Sequence, residues 1–271
     1  MLTSLNKMIG WTVTASDGPI GHITAAFFND QTWVIRYLVV DTGVWLAKRE
    51  VLVSPFSINN MSIADGSVDV SLTREQVRTS PDIDTHKPIS RQHEIAHQKH
   101  FTYPSFWGAR GVLLGEPYSM TPALSSPATD PTPFEVGACN ERTSTDAHLR
   151  SSVSVTGYSI IGTDADIGQT STGHTSIGHV KDFIFDEQLW AIKYLVVDTG
   201  GCLTGGRSVL LDICSVKSIA WETSSLRVSL TRGEVDAGPE YDESQPVDHS
   251  SGKSFASNHT SSNKRSDYWD V

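Results

Sequence analysis

His93-Glu94-Ile95-Ala96-His97 carries the pattern with the most chemistry in this chain, H-E-x-x-H. On a helix that spacing sets two imidazoles one turn apart to hold zinc, with the glutamate as general base of a hydrolase. His100 follows three residues after His97 and adds a third imidazole. A catalytic zinc site also needs a packed helix and a third protein ligand from another element. The surrounding stretch, RQHEIAHQKHFTYP, offers almost no apolar face with which to pack. The expectation is therefore an exposed, histidine-bearing linker helix, with adventitious zinc or nickel binding by the i, i+4 histidines as one alternative. A zinc-dependent hydrolase built on His93, Glu94 and His97 is the other.

Other candidates come in matched pairs. His22 and His179 each follow a glycine, Gly21 and Gly178, and Asp41 and Asp198 each precede Thr-Gly. A lone strand histidine is expected to be partly exposed and locally hydrogen-bonded. An Asp-Thr-Gly run reads as a turn in which the carboxylate caps backbone donors and the glycine takes the left-handed conformation. Trp33 with Trp190, and Tyr37 with Tyr194, sit at period two with apolar neighbours and are expected in the core. Asp82, Asp84, Glu240, Asp242 and Glu243 form acidic stretches without the spacing of a calcium loop, and read as solvated charge. Phe101, Tyr103, Phe106, Trp107 and Tyr118 lie in a Pro-rich stretch and either wrap onto a folded domain or anchor a partner. Cys139, Cys202 and Cys214 are odd in number and not spaced as a metal knuckle. Phosphate loops and nucleophile elbows are absent. No catalytic, cofactor-binding or metal-site residue is assigned, and no cofactor is expected.

The pairing reflects an internal repeat. Residues 20–43, IGHITAAFFNDQTWVIRYLVVDTG, align without gaps to 177–200, IGHVKDFIFDEQLWAIKYLVVDTG, with 14 of 24 positions identical. Further on, Val70-Ser71-Leu72-Thr73-Arg74 recurs as Val228-Ser229-Leu230-Thr231-Arg232 at a separation of 158. Ile9-Gly10 aligns with Ile161-Gly162 at a separation of 152, which implies a five-residue insertion between the first two strands. Each copy reads as six short strands; in copy one these are Ile9–Thr14, Ile20–Phe28, Trp33–Asp41, Glu50–Ser54, Ser57–Ile63 and Val68–Leu72. In the third, Trp33, Ile35, Tyr37 and Val39 share one face and Val34, Arg36, Leu38 and Val40 the other, as in a central strand. Asp65-Gly66 predicts a tight hairpin. Thr73 with Gln76, and Thr231 with Glu234, have the spacing of a capping box at the start of a short helix.

The length of 271 residues suits two small domains. Their expected boundaries are residues 1–90 and 153–248, with a Pro-rich linker at 91–152 and a disordered, solvated tail at 249–271. A net charge of -10 excludes nucleic acid or an anionic membrane as the main partner, since either rewards clustered Lys and Arg. No stretch is long and apolar enough for a membrane span and the N-terminus lacks a signal-peptide core, so a cytoplasmic location is expected.

Ile-Gly-His-[Ile/Val], then Tyr-Leu-Val-Val-Asp-Thr-Gly, then Val-Leu-[Val/Leu]-[Ser/Asp], resembles the PRC-barrel family, and both copies show it. That family is named after the cytoplasmic domain of the photosynthetic reaction-centre H subunit. The segments LTREQVRTSPDIDTHKPISRQHE and LTRGEVDAGPEYDESQPV are similar to those trailing the barrels in bacterial proteins with two in tandem. The resemblance implies an all-β chain of two small barrels; the capping boxes add a short helix closing each, and the reuse of one surface by duplicated units leads to the expectation that they pack about a pseudo-two-fold axis. The resemblance also implies a non-enzymatic scaffold or interaction role with a protein partner not named by the sequence. Peripheral docking on a photosynthetic electron-transport complex, as an H-subunit-like component, is another alternative, and homo-oligomerisation stays open.

Overall fold

Strand-forming runs broken by Asx and glycine turns pair into two sheets in the computed structural model, which describes residues 1–82, 88–103, 147–163, 176–200, 207–245 and 247. The chain opens with β1 (Leu2–Ser4) and the one-turn helix α1 (Leu5–Met8). The first repeat follows as β2 (Thr12–Ala15), β3 (Gly18–Asn29), β4 (Ile35–Asp41), β5 (Glu50–Val53), β6 (Ile58–Ser62) and β7 (Ser67–Val70). These six strands lie in the order β5-β4-β3-β2-β7-β6, with β2 and β7 parallel. Next come α2 (Arg74–Arg78), β8 (Ile89–Ser90), α3 (Arg91–Phe101), β9 (Ala147–Ser151) and α4 (Ser152–Val155). The second repeat is β10 (Ser159–Ile161), β11 (Ser176–Asp186), β12 (Ala191–Asp198), β13 (Ser208–Asp212), β14 (Val216–Ala220) and β15 (Ser225–Val228), then α5 (Arg232–Asp236). It has the matching order β13-β12-β11-β10-β15-β14, with β10 and β15 parallel. The protein is mostly β, as expected, and no described helix is long and apolar enough to cross a membrane.

Both capping boxes form. Thr73 and Thr231 each accept a backbone N–H from the residue three on, whose side chain returns a bond to the threonine N–H. Arg49 and Arg207, 158 residues apart, hold the far ends of these helices. Arg49 donates to the carbonyls of Arg78 and Ser80 at 3.0 and 2.6 Å, and Arg207 to those of Asp236 and Gly238 at 2.8 and 3.2 Å. A guanidinium suits this job because its planar fork donates to two carbonyls left open at a helix end.

The start of the repeat differs from the sequence alignment. Gly10 and Gly157 both have φ +88, and their amides donate to Ile23 O at 2.8 Å and Val180 O at 2.7 Å. They are the equivalent pair, at a separation of 147, so Ile9-Gly10 does not match Ile161-Gly162. Ile161 instead closes β10, opposite Ser176. With His22 and His179 separated by 157, the second repeat has ten extra residues between its first two strands, most of them outside the described set.

Trp33 and Trp190 are turn residues rather than strand residues. Asn29 Oδ1 accepts the amides of Gln31 and Thr32, and Asp186 Oδ1 those of Gln188 and Leu189. The turns leave the tryptophans at φ 58 and 51, a left-handed conformation unfavourable for a bulky side chain. Stacking offsets the cost: Trp33 lies 5.2 Å from Phe28 and Trp190 5.3 Å from Phe185. A register shift between Phe27 and Phe28 also changes the faces of β4, so Ile35 joins Leu38 and Val40 in the main core while Tyr37 and Val39 face the other way.

The two repeats exchange their leading arms. β1, from the N-terminus, pairs with β11 of the second repeat; β9, its counterpart, pairs with β3 of the first. The tryptophan turns meet reciprocally: Ile35 N–H donates to Trp190 O at 2.7 Å, and Ile192 N–H to Trp33 O at 2.8 Å. One continuous core runs through both repeats, with Phe28 against Phe183 at 5.6 Å. The outer face of each sheet is closed by a smaller cluster. Ile89 and Leu149 complete it over Tyr37, and Leu2 with half-buried Val247 over Tyr194.

Candidate functional site

Helix α3, which bears the H-E-x-x-H residues, lies against the outer face of the first sheet with its polar side inward. Glu94, His97 and Gln98 are buried, whereas His93 is exposed and Ile95 is half out in solvent. The expectation of an exposed linker helix is thus corrected. No apolar stripe announced its burial, because the groups it buries are polar. Glu94 Oε1 pairs with Arg36 Nε at 3.8 Å, and both side chains are withdrawn from water. His97 Nε2 is 2.9 Å from the carbonyl of Leu52 and donates its N–H there. Its ring meets Tyr37 edge-on at 4.7 Å and Phe101 at 4.7 Å.

Low-dielectric surroundings set the protonation states here. Burial, with a smaller push from His100, holds His97 down at about 4, although the bond to Leu52 opposes the shift. Burial and then the Glu94 carboxylate raise the Tyr37 phenol far above its ordinary value. Burial likewise raises Tyr103. Tyr37 Oη, His97 Nδ1 and Gln98 Nε2 are buried without a hydrogen-bond partner among the described residues; Gln98 adjoins Tyr37 but in a geometry that falls short of a bond.

This arrangement divides the motif. His97 and Glu94 face the sheet, His93 faces solvent, and His97 Nε2 is engaged with the Leu52 carbonyl of that sheet. Among the described residues no three His, Cys, Asp or Glu side chains converge as a metal-holding group. His100, exposed, reaches the Gln76 carbonyl at 3.2 Å.

The paired candidates each sit within their own sheet. His22 and His179 are exposed on β3 and β11, each in register with an aspartate, Asp41 and Asp198. Asp41 Oδ1 accepts the Gly43 amide at 2.8 Å and Asp198 Oδ1 the Gly200 amide at 2.9 Å, so both act as turn caps. Gly43 is left-handed at φ +59 as expected, but Gly200 is not. The glycines before the histidines matter more. A Cβ on Gly21 would lie 1.9 Å from Asp41 O, and one on Gly178 2.3 Å from Asp198 O. Trp33, Trp190, Tyr37 and Tyr194 are all buried. Asp82 and Glu240 meet the two clamp arginines, Arg49 at 3.4 Å and Arg207 at 3.6 Å. Asp242 and Glu243 are exposed, and Asp84 lies outside the described residues.

Of the linker aromatics, Phe101 and Tyr103 wrap onto the first repeat, stacked 5.5 Å apart, with Tyr103 6.2 Å from Phe56. Phe106, Trp107 and Tyr118 lie outside the described residues, as do Cys139, Cys202 and the tail from 249. Cys214 is a free, exposed thiol whose pKa burial and Asp212 push up, the reverse of an activated nucleophile.

Sequence reasoning missed two groups. The clamp arginines Arg49 and Arg207 were visible as a recurrence at 158 within [Arg-x-Val-Leu]. Asp182 had no such signal, since its equivalent in the first repeat is Ala25. Its buried carboxylate accepts from Ser4 Oγ and from the Asn6 amide at 3.0 Å, tying the exchanged arm to β11. Burial raises its pKa against the pull of those bonds. No protein-family model matches the chain, and no curated protein matches it either.

Proposed function

We propose that the chain is a non-enzymatic protein-interaction or scaffold module made of two PRC-barrel-type repeats, working in the bacterial cytoplasm. Each curled sheet, with its capped and arginine-clamped helix, would form one small barrel. The observation that carries this reading is where the reactive side chains go. Glu94 is spent on Arg36, His97 on Leu52, and Asp41 and Asp198 on their own turns, so the candidate groups serve the scaffold. Acidic net charge favours a protein partner over nucleic acid.

Affinity capture with crosslinking, followed by reconstitution from purified components, tests the reading. A stoichiometric complex that survives reconstitution is the expected result. One zinc per purified chain, with peptide or ester turnover abolished by Glu94→Gln, would replace the module with a hydrolase.

A further inference from the structure

Helix α3 is not needed to finish the fold. On the second repeat the equivalent outer face is closed by Leu2, Tyr241 and Val247, and among the described residues no helix lies over it. On the first repeat, Ile89 and Leu149 do the same work, yet α3 is laid on top. It sits with polar groups inward and Ile95 outward, the reverse of a core helix. Its grip includes the Glu94–Arg36 pair, the His97–Leu52 bond, the His97–Tyr37 ring contact, the His100–Gln76 bond and the Phe101–Tyr103 stack, which reaches Phe56 and the edge of the main core. Against that grip stand Tyr37 Oη, His97 Nδ1 and Gln98 Nε2, buried without a hydrogen-bond partner among the described residues. Such desolvated groups lower the free energy gained by seating the helix, and local opening draws on elements of that kind.

We propose that α3 is a displaceable strap covering a docking face on the first sheet, and that this face takes a partner's helix bearing a carboxylate and, one turn on, a side-chain N–H donor. This inference rests on the interaction-module reading above. The occupant's chemistry follows from what α3 leaves behind. Beneath α3, Arg36 is 6% exposed and ion-paired with Glu94, so the face favours an anion there; the Leu52 carbonyl accepts a donor, and Tyr37 and Phe56 offer rings that α3 and Tyr103 now cover. Glu94 and His97, one turn apart on α3, satisfy both demands and so stand in for the partner.

The probe is a synthetic peptide of residues 89–103 titrated against the full chain, wild type and Glu94→Gln/His97→Ala, by fluorescence anisotropy. Weakening the resident helix should tighten peptide binding at least tenfold, and the same Glu94→Gln change in the peptide should undo that gain. Equal binding to both chains, or binding insensitive to the peptide's glutamate, would overturn the strap. A switch of the variant to dimers in size-exclusion chromatography would assign the face to a second copy and overturn the partner helix. Hydrogen exchange on the wild-type chain guards against a misfolded variant: amides of 95–101 should open at least a hundredfold more often than those of β3 and β4, and equal protection would refute the strap. Because the assay uses no partner, peptide binding as expected together with a failed reconstitution would leave α3 displaceable but discard the module and, with it, the partner helix.

Discussion

His97 is neutral in the folded chain down to about pH 4, whereas in the unfolded chain it titrates near 6.5. Between those values the unfolded state binds more protons, so stability rises with pH across the window. This contribution is complete above 6.5 and is lost as pH falls through it to 4. The shift corresponds to about 3 kcal/mol, at roughly 1.4 per pH unit. Urea midpoints for wild type and His97→Phe should therefore diverge in slope between pH 4 and 6.5, with the wild type steeper; parallel curves would place His97 in contact with water. Close backbone approach gives a second residue-scale prediction. Gly21→Ala should cost about 3 kcal/mol or more, since the added methyl meets a carbonyl it cannot displace cheaply. Gly233→Ala, in α5 with open space around it, should gain about 0.5–1 kcal/mol. Thermal melts of the two variants check the contrast. The motif at 93–97 was legible as residues but not as a seat, because a sequence records spacing and not which groups a neighbouring sheet supplies. Arg36 and the Leu52 carbonyl decide the chemistry of Glu94 and His97, and neither is near them in the chain.

At the scale of elements, the capped helices are the cleanest case of local sequence deciding local structure. Thr73→Ala or Thr231→Ala should cost about 1 kcal/mol by loss of the cap. Arg49→Ala and Arg207→Ala should raise hydrogen exchange in 76–80 and 234–238, the carbonyl ends they clamp, while leaving the N-terminal turns protected. Equal loosening at both ends would show that the arginines support the sheet instead. All six strands of the first repeat were readable from alternation and turn residues, as was the Asp65-Gly66 hairpin with its left-handed glycine. The first strand of the second repeat was not. An Ile-Gly pair at 161–162 imitated the one at 9–10, while the true equivalent, Gly157, stands behind a threonine. The tryptophans misled for a related reason: bulky aromatics favour strands, and only the Asn29 and Asp186 turns force them into the left-handed region.

For the whole molecule, the exchange of arms is what turns a tandem repeat into one body. β1 and β9 each add a strand to the other repeat's sheet, Asp182 secures the first, and the Phe28–Phe183 contact joins the cores. The strand pattern did not specify this, because alternation does not say which repeat's edge a short arm joins, and Asp182, which ties the first arm to β11, breaks the repeat instead of following it. What holds the repeats together is this exchange of strands and not the chain between them. The most direct test is a protease site inserted between residues 104 and 146, cut to completion in the folded protein and followed by size-exclusion chromatography. The two fragments should elute together at the mass of the uncut chain and separate only in denaturant. Fragments that part without denaturant would contradict the exchange and leave two independent domains on a tether.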